Sequence, residues 1–219
     1  MLNINPQTIT ALQKEAIPQW KNAGITIASL NPYQDSTAFP ESLLNDFYRF
    51  VEENHAFNFQ LWDAEDRARR EDKGHEFVYQ AKRAIDGYNQ QRNNRMEAMD
   101  QWLFQVLKPA QSDHCPVNSE SPGMMIDRLS ILALKAYHMN EQTLRVEVDE
   151  AHRSACVQKL VIIHQQLVQL SLCLKQLLDD VEAKTRTFRV YHQFKMYNDP
   201  KLNPELYSEA VSENEVSQS

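Results

Sequence analysis

Between Met124 and Met139 the chain sets Asp127, Arg128, Lys135 and His138 into a run in which eleven of sixteen residues are apolar. A helix apolar on every side is buried, and charges enter a core only when paired. At about 100° per residue, Asp127 and His138 fall within about 20° of each other, and so do Arg128 and Lys135. The stretch therefore predicts a central helix with one acid/imidazole line and one cationic line. Cations there, joined by Arg145, Lys159, Arg186, Arg189 and Lys195, can bind an anion. Backbone N–H groups at the start of a helix opening at Pro122 would add to them. Trp62, Tyr137 and Tyr191 offer rings on which a sugar or base can stack.

The bland alternative is internal pairing. Arg128 and Lys135 can meet Glu65, Asp66 or Asp86, and Asp127 can meet Arg92, Arg145 or Lys159, so that one network fixes how the helices dock. Polar rows border the apolar ones elsewhere. His55, Asn58, Trp62, Glu65 or Asp66, and Arg69 follow each other at helical spacing, and Arg145, His152, Lys159, Gln166 and Cys173 recur every seven residues.

Metal chemistry has two imitations. Glu52-x-x-His55 and Asp149-x-x-His152 resemble half of a di-iron carboxylate set, but their order along the chain is wrong for such bundles. Asp63-x-x-Asp66 and Glu97-x-x-Asp100 resemble the paired carboxylates with which all-helical pyrophosphatases hold Mg²⁺. Two solvated acidic faces are the simpler reading of these pairs, and no resident cofactor is expected unless this magnesium alternative holds. Cys115 beside His114 does not by itself make a nucleophile and base. No glycine-rich phosphate loop is present.

The elements that position these residues read as helices. Only 4 of 219 residues are glycine, and Leu, Ala, Glu, Gln and Lys are frequent. A short helix is expected over Pro6–Ile17, stopped by Pro18, followed by a loop from Trp20 to Phe39 that lies on the bundle through Trp20, Tyr33 and Phe39. Pro40 opens a long helix to about Glu71, and a second runs from about Glu76 to Leu107, ended by Pro109. From Met124 to Asp199 neither Gly nor Pro occurs. Turns near Asn140–Thr143 and Lys184–Thr187 must divide that length, because one helix of roughly 110 Å would not fold into a chain of this size.

The expected fold is all-α, an up-and-down bundle of about four long helices with a short N-terminal helix and a wrapping C-terminal tail. Residues 1–39 are expected as an appendage, 40–207 as the bundle domain and 208–219 as a disordered tail. The net charge of −7 argues against general nucleic-acid binding. No run is long and apolar enough for a transmembrane segment, and the start Met-Leu-Asn-Ile-Asn-Pro is no signal peptide. Three cysteines without a Cys-x-x-Cys pair suit reduced thiols in a cytoplasm.

Four stretches together resemble a known family: Leu61–Arg69, Lys82–Asn93, Asn118–Lys135 and Lys195–Pro200. It is an uncharacterised bacterial domain family of about this length, and the resemblance covers roughly residues 40–207. Its genes often lie beside glycosyltransferase genes for lipopolysaccharide and other surface glycans. A Gly-x-x-Ile-Asp-Arg-Leu-Ser-Ile-Leu core like Gly123–Leu132 also occurs in another uncharacterised group linked to glycosyltransferases. The turn at Lys184–Thr187 departs from expectation in lacking a glycine.

The resemblance supplies a context and no reaction. With the charged rows, it implies a cytoplasmic, non-catalytic accessory protein of surface-glycan synthesis that binds a nucleotide-sugar-like anion or a glycosyltransferase partner. The expected ligand-binding residues are Asp127, Arg128, Lys135, His138, Trp62, Glu65, Asp66, Asp86, His152, Lys159 and Lys195. The alternatives are a Mg²⁺-dependent phosphohydrolase using Asp63, Asp66, Glu97 and Asp100, and a structural helical homo-oligomer.

Overall fold

The computed structural model describes residues 4–25, 42–194 and 201–205. They form five helices: α1 (Pro6–Ala23), α2 (Ser42–Ala68), α3 (His75–Leu107), α4 (Pro122–Thr143) and α5 (Glu150–Glu182). One 3-10 turn, Glu71–Lys73, lies between α2 and α3. Among the described residues the only β pairing is the isolated bridge of Val117 to Thr187. The fold is an all-α bundle. Tyr33, Phe39, Lys195 and the 208–219 tail lie outside the described residues.

Helices α2 and α3 pack as one antiparallel pair, and α4 and α5 as another. Contacts fix the directions. Asn54 and Asn58 meet Asp127, and Trp62 meets His138, so α2 and α4 run parallel. Arg92 meets Asp127 and Asp100 meets Gly123, so α3 runs against α4. The largest core cluster joins Phe47, Phe50 and Val51 of α2, Met99 and Leu103 of α3, Met125, Ile126 and Leu129 of α4, and Leu174, Leu177 and Val181 of α5.

The N-terminal helix corrects one expectation. It does not stop at Ile17 but continues through Pro18 to Ala23, and Trp20 belongs to it. Proline removes one backbone hydrogen bond, at a cost of about 3 kcal/mol in a helix interior. Tertiary contacts offset that loss: Ile17 and Trp20 are buried, and Trp20 packs on His55 and Phe59. Gln13 donates from its side chain to the Ile126 carbonyl at 3.1 Å, and Lys21 bridges Glu141 at 2.8 Å. Far from hanging on the bundle as an appendage, α1 is built into it and runs parallel to α4.

Local chemistry sets the other boundaries. The Asn5 side chain caps α1, Ser121 caps α4 and Asp149 caps α5. Helix α4 runs through the expected turn to Thr143 and α5 begins at Glu150, leaving Arg145 in the connection. After α3, Lys108 adopts a left-handed φ of 45° ahead of Pro109. The turn after α5 lacks a glycine because Lys184 takes φ 61° itself. Its ammonium donates to the last carbonyls of α3, Leu107 at 2.6 Å and Lys108 at 2.5 Å. The following strap buries Phe188 in the core, and His192 Nδ1 lies 2.6 Å from Glu97.

Candidate functional site: an inner polar network and an outer groove

The two lines on α4 separate into two places. Asp127 faces inward and is 2% exposed, while Arg128 and Lys135 are exposed. Around Asp127 the network is dense. Arg92 Nε donates to Oδ1 at 2.8 Å and Arg92 Nη2 to Oδ2 at 2.5 Å. Asn54 and Asn58 each donate to Oδ1, at 3.0 and 2.9 Å. Arg95 donates to the buried Glu53 at 2.5 Å. The polar run Gln90–Arg95 in the middle of α3 thus supplies two guanidinium groups to buried carboxylates on its neighbours.

His55 closes the network on the α1 side. Ser130 Oγ accepts from Asn58 at 2.9 Å and lies 2.7 Å from His55 Nδ1. Burial pushes the His55 pKa down to about 4, with the Gln13 backbone opposing, so the ring is neutral.

Asp100 is a second buried titratable group. It accepts from the Gly123 N–H at 2.7 Å under the start of α4. Burial raises its pKa to about 7, against the hydrogen bonds of Ser121 and Gly123, and Glu97 adds to the rise. Gly123 is required by space: a Cβ there would lie 2.5 Å from the Met96 carbonyl oxygen and 2.9 Å from Asp100 Oδ1.

His138, on the Asp127 line but three turns on, joins a different cluster. Its ring stacks on Trp62, centroids 4.4 Å apart and planes 6° apart, and its Nδ1 lies 3.0 Å from Glu141. Burial, then the Lys21 charge, holds its pKa below the usual histidine value. Asp66 is the α2 carboxylate whose field reaches His138, in the opposite sense. Glu65 pairs instead with Arg69 at 2.8 Å, and Asp86 lies 3.8 Å from Arg83. The expected bridges from Glu65, Asp66 and Asp86 to Arg128 and Lys135 are therefore absent among the described residues: α4 turns those two cations away from α2 and α3.

What Arg128 and Lys135 do line is a groove of about 930 Å³ between α4 and α5. Asn118, Ser119 and Glu120 close one end, and Gln165, Gln166 and Gln169 face the cations from α5. Ile131, Leu132, Ile162 and Leu170 supply apolar wall. Glu120 bridges Arg128 at 2.6 Å, while Lys135 has no ion pair among the described residues. The two cations stand about 10 Å apart along the helix axis, which suits an elongated anion rather than a lone phosphate. His152 and Lys159 are exposed on α5 outside this groove; His152 Nε2 lies 3.5 Å from Cys156 Sγ.

The magnesium set does not converge. Asp63 pairs with Arg67 at 3.1 Å near the end of α2, Glu97 holds His192, and Asp100 is buried under α4. With Glu53 opposite Arg95, the antiparallel register puts Asp63 roughly 20 Å from Asp100 along the bundle. Among the described residues no three His, Cys, Asp or Glu side chains form a group able to hold a metal ion. Cys115 lies 3.9 Å from the Gln111 carbonyl, with no base on it. Sequence reasoning missed Asn54, Glu53, Arg95, Ser130, Gln165 and Gln169, whereas Gln166 stood in the seven-residue row. Gln165, Gln166 and Gln169 do sit on one side of a helix, but uncharged amides there look like an ordinary solvated face.

An all-α bundle with a buried Asp/Arg/Asn network inside and a polar, partly cationic groove outside defines a helical domain with a ligand-sized cleft. The chain belongs to the family described as protein of unknown function (DUF4254), whose pattern matches residues 48–190. No curated protein and no solved structure matches it. No helix among the described residues is long and apolar enough to cross a membrane.

Proposed function

We propose that the protein is a cytoplasmic, non-catalytic accessory protein of bacterial surface-glycan synthesis. Its α4–α5 groove binds an elongated anion of the nucleotide-sugar kind. The observation that carries the reading is the facing of Lys135 and Arg128 on α4 by Gln165, Gln166 and Gln169 on α5 in one cleft. Cations supply attraction to phosphate, and amides both donate to and accept from sugar hydroxyls. The apolar wall supplies area for a sugar or base face. The glycan setting comes from the gene context that the resemblance implies. The hydrolase alternative has no such support, since Asp63, Glu97 and Asp100 each hold a separate partner.

Thermal denaturation with a panel of nucleoside diphosphate sugars, with and without Mg²⁺, tests the proposal. It expects a metal-independent rise in Tm, no turnover, and loss of the rise in Lys135→Ala. A panel without effect, or one that stabilises Lys135→Ala equally, overturns it.

A further inference from the structure

Helix α5 carries two apolar faces, and the fold uses one. Cys156, Leu170, Leu174, Leu177 and Val181 point into the bundle. Val157, Val161, Val168 and Leu172 remain 49–61% exposed. At 100° per residue these four fall within about 60° of arc, on the side away from the core, with Gln165 of the α4–α5 groove at its edge. An exposed apolar row of this kind, interrupted only by His164 and Gln165, marks an interaction surface.

The spacing of the row says what covers it. Val157 and Leu172 lie equally far from the point between His164 and Gln165, and so do Val161 and Val168. An isologous two-fold interface needs a self-complementary patch, in which residue i meets j and j meets i. An antiparallel α5 of a second copy provides that match: Val157 meets Leu172, Val161 meets Val168, and His164 meets Gln165. At each end Glu150 comes opposite Asp179, and each of these acids is already held by a base on its own helix, Arg153 at 2.7 Å and Lys175 at 2.5 Å.

We infer that the protein is a two-fold dimer formed by antiparallel packing of α5 on α5. Beside the second half of the row lies a groove of about 770 Å³, bounded on α1 by Thr10, Ala11 and Lys14 and on α5 by His164, Val168 and Leu172. Each copy's Val157–Val161 turn seats along the other's α1–α5 groove, which gives the otherwise exposed first half of α5 its partner. Each α4–α5 groove adjoins the seam at Gln165. The inference does not rest on what those grooves bind.

Sedimentation of the full-length chain at micromolar concentration tests it. The unaltered chain is expected as a dimer, and Val161→Glu and Val168→Glu as monomers with unchanged helical circular dichroism. Ile162→Glu, on the other side of α5, is expected to remain a dimer. Orientation is tested by oxidation of chains in which Cys115 and Cys173 are replaced by serine. A mixture of Val161→Cys and Val168→Cys chains is expected to cross-link, and either alone is not, because identical positions stand about 10 Å apart along the axis. A monomeric unaltered chain, a dimer that survives both glutamates, or cross-linking of Val161→Cys with itself overturns the inference.

Discussion

Arg92 and Asp127 form a two-pronged ion pair between α3 and α4, 2.8 and 2.5 Å long, with the carboxylate sealed from solvent at 2% exposure. Removing the guanidinium leaves a buried carboxylate with only Asn54 and Asn58 as donors, and breaking such a pair costs about 3 kcal/mol or more. Arg92→Met is expected to lower unfolding free energy by that order in a urea titration. Adding Asp127→Leu should recover a large part of the loss, since no charge is then stranded. Additive losses would show that the two side chains act independently.

Two glycines on helices predict opposite signs. Gly123→Ala forces a methyl against the Met96 carbonyl and Asp100, contacts of 2.5 and 2.9 Å. It should destabilise by about 1–3 kcal/mol, the usual cost of overpacking. Gly87→Ala in the middle of α3 meets nothing within 4 Å and should stabilise by about 0.5–1 kcal/mol. Thermal unfolding of both variants checks the pair; a destabilising Gly87→Ala would be evidence against the space around α3.

Asp100 and His55 make opposing contributions to pH dependence. For Asp100, folding raises the pKa from 3.8 to about 7, so the folded state binds the extra proton between those values. Its contribution is complete at the acid end and is lost as pH rises toward 7. For His55, folding lowers the pKa from 6.5 to about 4, so the unfolded state binds the extra proton in that window. Its contribution appears as pH rises from about 4 to 6.5. At 1.36 kcal/mol per pKa unit the contributions are roughly 4 kcal/mol for Asp100 and roughly 3 kcal/mol for His55. Between pH 4 and 6.5 the two largely cancel. Stability of Asp100→Asn should therefore climb with pH over this range relative to the parent, and that of His55→Gln should fall. Parallel curves for all three proteins would refute both assignments.

Glu120 occupies Arg128 at the end of the α4–α5 groove. Glu120→Gln keeps the size of the side chain and frees the guanidinium. Isothermal titration with uridine diphosphate glucose should show binding tightened by about three- to tenfold, the effect of ~1 kcal/mol. Arg128→Ala should weaken it, and Lys135→Ala should weaken it more, because Lys135 has no ion pair among the described residues. Weaker binding by Glu120→Gln would place the anion elsewhere.

The helices were legible where pattern and punctuation agree. His75–Leu107 follows its apolar stripe to within a residue of expectation, and Pro109 marks its end. Pro18 misled because a local rule was outweighed by the burial of Trp20 and Ile17, which no spacing within α1 reveals. Arg92 was one of three candidate partners for Asp127, and it is the one found there. Arg145 failed because it lies in the connection before α5, and Lys159 because it is on an exposed face.

Sequence alone determined the helical class, the division of residues 122–182 into two helices, and the angular relation of Asp127 to His138 and of Arg128 to Lys135. Those follow from local geometry, in which 3.6 residues per turn fix relative directions. Which way each line faces was decided only by tertiary structure. Helix α4 is apolar nearly all round, so its own pattern does not set its rotation. Close contact of Gly123 with α3, and the ion pair of Arg92 with Asp127, turn the acid inward and the two cations outward to the groove.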